Sequence, residues 1–303
     1  MGDSRGLVVG LATVGDRVKV RRRSSSSAEN RMAPTSMSQD VKLLHNNPPS
    51  VLKEDDIFKL RRTYSLSPSL TLRLPLPSER AADAKHNEVV VYELYFAAGL
   101  REVIPSLIAK MAKRLAVSPG QFYPSAWRLL IAIQTFGELE SIAIEAEEVL
   151  YAYYISKFDS DPGRYSLHPR NHPPLALDVE CHVRRSLEEG WREKYIFMKV
   201  GDNPGFPTSW FVAGVKTKAN PVGRAGALEV VKRPLRYRNV EFLTSEFALE
   251  YSTIWGSNMS SNQRCSTTDI YAKFMAASGK LAEANPSSSL QMLADSGDDI
   301  QIL

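Results

Sequence analysis

The stretch 115-LAVSPGQFYPSAWRLL-130 breaks twice, at Ser118-Pro119-Gly120 and at Pro124, and then resumes with a tryptophan. Ser118 suits the cap of a new turn, and Pro119 fits its first position, where a missing N–H costs nothing. Gln121 stands where a capping-box side chain reaches back. Pro124 then opens a helix in which Trp127, Leu130, Ile131 and Ile133 face inward. Upstream, Val103, Ile104, Leu107, Ile108, Met111 and Leu115 recur at helical spacing, with Lys110, Lys113 and Arg114 on the other face and Pro105 in the first turn. The double break therefore reads as a tight connection between two packed helices. Trp127 is expected between them.

Working outward, a third helix over roughly 143–157 brings Val149, Leu150, Tyr153 and Tyr154 to one side, and Asp161-Pro162-Gly163 ends it. The period then changes. Tyr165–His168, Tyr195–Val200 and Trp210–Val215 read as short strands rich in aromatic and β-branched residues, the last two joined by GDNPGFPTS as a wide antiparallel hairpin. A final helix, 268-TDIYAKFMAA-277, stops at Gly279. Residues 1–86 are basic and rich in Ser and Pro with few sustained periods and read as disordered, apart from a short helix around 51-VLKEDDIFKLRR-62. The expected fold is α+β and helix-rich: a three-helix core followed by a small antiparallel hairpin or sheet, with disordered N- and C-terminal segments. The expected divisions are 1–86, a compact region over 87–256 starting near Val89, and 257–303 holding the C-terminal helix and tail.

The 303 residues include 43% hydrophobic and 24% charged side chains, ordinary for a soluble globular protein. The net charge is only +4, but it is unevenly spread. Residues 1–42 carry eight Lys/Arg against four Asp/Glu, and residues 214–240 carry seven (Lys216, Lys218, Arg224, Lys232, Arg233, Arg236, Arg238) against Glu229 alone. Such segments attract phosphate backbones or serve as solvated linkers. Lys19 with Arg21, Arg22 and Arg23 reads as a nuclear-import signal or a nucleic-acid arm. Pro234 argues against a continuous helix through 231-VKRPLRYRN-239. An extended course would put Arg236 and Arg238 on one face and turn Tyr237 inward. Two cysteines imply no disulfide framework and fit an intracellular, reducing setting, cytoplasmic or nuclear. The apolar run 7-LVVGLATV-14 is too short to span a bilayer, and no membrane association is expected.

Catalytic readings are weak by comparison. His168, His172, Cys181 and His182 could ligate zinc, but their spacing on a Pro-rich loop matches no established ligand pattern. Asp295-Ser296-Gly297 has the triplet of retroviral aspartic proteases without the β fold that would bring two carboxylates together. Asp159, Asp161, Asp178, Glu180 and Glu193 could be drawn as a metal-nuclease set, with nothing in their flanks to separate them from surface charge. Trp191, Tyr195, Phe197, Trp210 and Phe211 could stack nucleobases, although core packing is the commoner use. No cofactor is called for.

Several of these residues fall in a recognisable pattern. Gly99-Leu100, then Pro119, Gln121, Pro124, Ala126, Trp127 and Arg128, then GRYSLHPR, and finally Trp191, Arg192, Tyr195, Phe197 and Val200 resemble the plant-specific domain of gypsy-type transposases and retrotransposon gag-like proteins. The pattern covers roughly residues 90–215. It departs at Ser125, where Asn is common, and the long downstream coiled coil is missing. No catalytic residues carry over. The resemblance implies a non-catalytic, gag-like protein that self-associates or binds RNA or DNA, through Arg21, Arg22, Arg23, Lys232, Arg233, Arg236 and Arg238. The alternative is a DNA-cleaving transposase or integrase.

Overall fold

Gln121 does more than close a capping box. Pro119–Gln121 form a single 3-10 turn, in which the Gln121 side-chain carbonyl accepts the Ser118 N–H at 2.9 Å. Its amide donates at 2.7 Å to the carbonyls of Gly163 and Phe211, 42 and 90 residues further on. A fully buried side chain thus ties the turn to two distant segments. Gly120 lies so close to the chain at Val90 that a Cβ there would stand 2.3 Å from Val90 Cγ1 and 2.7 Å from its carbonyl oxygen. The Pro-Gly pair serves both the turn and this close approach.

The computed structural model describes residues 47–158, 161–178, 190–211, 218–255 and 265–284. In chain order these hold α1 (Glu54–Thr63), β1 (Leu72–Arg73), β2 (Glu88–Tyr92), α2 (Glu93–Ala97), α3 (Ser106–Leu115), α4 (Pro124–Leu139) and α5 (Ala146–Ala152). Then come β3 (Tyr153–Phe158), β4 (Asp161–Pro169), β5 (Tyr195–Lys199), α6 (Arg224–Val231), α7 (Val240–Leu243), α8 (Glu246–Leu249) and α9 (Thr267–Ala284). The fold is mixed α+β, with a three-stranded antiparallel sheet in the order β1–β5–β2 and a two-stranded antiparallel sheet, β3–β4. No helix among the described residues is long and apolar enough to cross a membrane.

The centre is α4. From Leu130 to Gly137 every residue is buried, as expected of a helix packed on all sides. Trp127 has no exposed surface. It stacks flat on Tyr95, 4.1 Å between ring centroids, and its Nε1–H donates to the Pro119 carbonyl at 2.9 Å. The buried Gln134 accepts the Leu107 N–H at 2.9 Å, meeting one of the donors that the first turn of α3 leaves open. α3 itself buries Leu107, Ile108, Met111 and Leu115, as its spacing predicts.

Six expectations need correction. Residues 47–86 are not disordered: α1 and β1 lie here, and Leu60, Leu66, Leu70 and Ala81 enter the same core as Trp127. The sequence hides this because the buried residues are spaced irregularly among turns. Val103 is 73% exposed, since Pro105 takes an extended backbone as the N-cap and α3 starts only at Ser106. The third helix stops at Ala152, and Tyr153 begins a strand. Tyr153 is then buried and Tyr154 exposed, as alternation in a strand requires. Asp161-Pro162-Gly163 belongs to β4 rather than to a terminating turn. β5 pairs with β1 and β2 in place of the expected hairpin partner, and Trp210 and Phe211 lie in no strand; the rest of that expected strand, 212–215, lies outside the described residues. The last helix also runs past Gly279, which faces open space.

Candidate nucleic-acid interface

The basic segment after Pro234 is neither strand nor open loop. Leu235–Arg238 form a 3-10 turn, and the backbone on either side is stitched to Leu177: its N–H donates to the Arg238 carbonyl at 2.8 Å, and its carbonyl accepts the Val240 N–H at 2.9 Å. Arg238 is 3% exposed. Its guanidinium donates to the carbonyls of Pro174 at 2.5 Å and Arg233 at 3.3 Å, and burial pushes its pKa below the usual guanidinium value. Arg238 therefore cannot reach a phosphate, and the expected pairing of Arg236 with Arg238 on one face fails. The tight turn separates them. Tyr237 does pack inward, edge-on to Tyr271, with Arg236 over its ring at 4.8 Å. Lys232 pairs with Glu229 at 2.8 Å, and Arg233 with Glu140 at 3.3 Å. Arg21, Arg22 and Arg23 lie outside the described residues.

The structure gathers a second group of basic side chains elsewhere, interleaved with Glu145, Glu147 and Glu148. On the polar face of α3, Lys110 reaches Glu145 at 2.6 Å and Arg114 reaches Glu147 at 3.4 Å, so α3 and the start of α5 lie side by side. Gly223 then lies directly on the same stretch of α5: a Cβ there would stand 2.0 Å from the Glu147 carbonyl oxygen. Arg224 follows at the head of α6. Two basic stretches more than a hundred residues apart meet at Glu147. Lys113 and Arg224 are exposed there, with no carboxylate partner among the described residues. The sequence carries a faint signal of this, the glycines at 223 and 226 that allow α6 to press against Glu147 and Glu148.

The aromatic group read as a stacking platform is mostly interior. Trp191, Tyr195, Phe197 and Trp210 are buried, and Phe211 alone is exposed. Among them sits Arg164, fully buried, its guanidinium 5.6, 5.2 and 5.1 Å from the rings of Tyr92, Trp191 and Trp210 and donating to the Tyr92 hydroxyl at 2.7 Å. These rings build the core around a cation. The histidines are also engaged with aromatic partners. His168 stacks on Tyr154 (5.4 Å, 25°) and His172 on Tyr151 (4.9 Å, 4°). Cys181 and His182 lie outside the described residues, within which no cluster of three His, Cys, Asp or Glu side chains is placed to hold a metal.

Of the carboxylates considered for nuclease chemistry, Asp178 is held by Arg128 at 3.2 and 3.3 Å. Glu193 is a surface residue. Asp159, Glu180, the Asp161 side chain and Asp295-Ser296-Gly297 are outside the described part. The Arg128–Asp178 pair stands on the wall of a cleft of about 1080 Å3, between the start of α4, β4 and α9, with Leu129, Leu167, His168 and Phe274 among its lining. No family model, no curated protein and no solved structure matches this chain.

Proposed function

We propose that this is a non-catalytic, gag-like protein of plant-retrotransposon descent that binds nucleic acid through the surface joining α3, the start of α5 and the head of α6. The observation that carries the reading is the convergence at Glu147. Arg114 bonds to its carboxylate while Gly223 rests on its carbonyl; Lys110 and Arg114 are paired there with Glu145 and Glu147, which leaves Lys113 and Arg224 as the exposed cations without a carboxylate partner among the described residues. Exposed cations grouped in this way release counterions from a phosphate backbone, which gives affinity without sequence preference. The motif residues that suggest the descent, Pro119, Gln121, Pro124 and Trp127, are all committed to the turn and core. They mark a fold, and the surface supplies the function.

The test is a fluorescence-anisotropy titration of a single-stranded RNA over a series of salt concentrations. Replacing Lys113 and Arg224 together with Ala is expected to flatten the plot of log K against log salt by about 1.4 units, at about 0.7 per lost single-strand contact. An unchanged slope, or no binding by the wild type at low salt, refutes the reading. A second reading, self-association, is favoured by Val222 and Leu228, which are 76% and 42% exposed beside Arg224. A mass that stays monomeric by light scattering at high protein concentration, with or without RNA, removes it.

A further inference from the structure

Tyr151 lies one helical turn beyond Glu147 on α5, and residues four apart share a helix face. The surface that gathers the cations therefore leads directly to a second feature. Tyr151 carries His172 stacked almost parallel upon it at 4.9 Å. Across the end of the β3–β4 ladder, Tyr154 is paired with His168 in register and stacked on it at 5.4 Å. Arg170 is held to the backbone beside the Tyr154–His168 stack. Its backbone N–H donates to the Ala152 carbonyl at 2.8 Å, and its Nε–H donates to the carbonyls of Leu150 at 3.3 Å and Tyr153 at 3.1 Å. Its guanidinium carbon lies 5.9 Å from the Tyr154 ring.

These rings are ordered yet not enclosed. Tyr154 is 42% exposed and His172 lies at the surface, while Tyr151, His168 and Arg170 are half-buried. We infer that Tyr151, Tyr154, His168, Arg170 and His172 form a base-stacking surface for single-stranded nucleic acid, a refinement that rests on the nucleic-acid-binding reading above. A nucleobase presents a flat π-face of the size these rings accept, and stacking tolerates any sequence. Arg170 ties down the chain that carries these rings, through its bonds to the Ala152, Leu150 and Tyr153 carbonyls. Rings already held in place lose little freedom when a base lands on them. Paired duplex bases are already stacked on one another, so the surface selects unpaired strands.

The experiment compares three fluorescein-labelled probes: an oligouridine of about 12 nucleotides, within the usual span of a single-strand site, an abasic strand of equal length, and a duplex. The wild type is expected to bind the oligouridine at least about tenfold more tightly than the abasic strand. Tyr154→Leu and His172→Ala are each expected to weaken oligouridine binding by about 5- to 100-fold. Neither variant should alter the salt slope or the affinity for the abasic strand. His172 lies on an exposed loop, so its replacement leaves the fold standing and keeps the test clean. If the wild type binds both single strands equally, or if both variants bind as the wild type does, the stacking inference falls while the electrostatic reading survives. If the wild type binds none of the probes, both fall.

Discussion

Replacing Trp127 by Ala removes the largest fully buried side chain of the central helix. Deleting a buried indole ordinarily costs about 3–5 kcal/mol, from lost transfer energy and the cavity left behind. Two features of this site place the expectation at the upper end. Tyr95 loses its stacking partner at 4.1 Å, while its hydroxyl remains bonded to the Phe122 carbonyl, so the ring has little freedom to collapse into the space. The Pro119 carbonyl also loses the indole N–H that it accepts at 2.9 Å, and an unsatisfied buried acceptor costs about 1–3 kcal/mol. Trp127→Phe separates the two effects, because it keeps most of the ring volume and removes only the donor. Expected losses are about 4–5 kcal/mol for Ala and about 1–3 kcal/mol for Phe. Urea unfolding measures both, with a slope of about 1–3 kcal/mol per molar. A loss below about 1.5 kcal/mol for Trp127→Ala refutes the view of the 118–124 turn as the keystone of the core.

Three further outcomes are expected. Gly223→Ala forces a Cβ onto the Glu147 carbonyl, 2.0 Å away; it should push α6 off α5, weaken RNA binding and speed amide exchange in α6, and unchanged exchange refutes the contact. Arg238→Ala should destabilise the fold by about 2–3 kcal/mol by leaving the Pro174 and Arg233 carbonyls without their donor, while the RNA salt slope stays constant; a flatter slope with full stability puts Arg238 at the surface instead. The hydrogen bonds and charge of Arg73 hold Glu88 below the usual carboxylate range. Because the folded-state pKa is the lower one, this pair stabilises the protein above the unfolded Glu pKa of about 4.3 and stops doing so as pH falls through the folded value. Urea midpoints of the wild type and Glu88→Gln should therefore differ at pH 7 and converge in acid, and a constant difference refutes the pairing.

The helices around the 118–124 turn were legible because Pro, Gly and the apolar spacing state local geometry. The sheet order was not, since β5 pairs with β1 and β2 across more than a hundred residues and no local signal names a partner. Tyr153 and Tyr154 misled for a related reason: an apolar run continuing past Ala152 suits a helix or a strand equally well, and tertiary packing decides. For the interface, charge counting singled out 232–238 correctly as basic but could not see that Arg238 turns inward. It also weighted α3 only as an amphipathic helix, because Arg224 joins it through tertiary packing, Gly223 on Glu147 and Gly226 on Glu148. The Tyr154–His168 stack depends on a strand register that places the two residues opposite each other, which the sequence leaves unstated.

The most direct measurement is to place the nucleic acid on the protein. A single-stranded RNA carrying 4-thiouridine, crosslinked at long wavelength to the full-length protein and mapped by peptide mass spectrometry, reports the bases' neighbours. Crosslinks are expected on the peptides spanning Tyr151–Tyr154 and His168–His172, and they should disappear when unlabelled oligouridine is added. Crosslinks confined to other peptides, or none at low salt, would contradict the central claim that α3, α5 and the β3–β4 sheet present one nucleic-acid-binding surface.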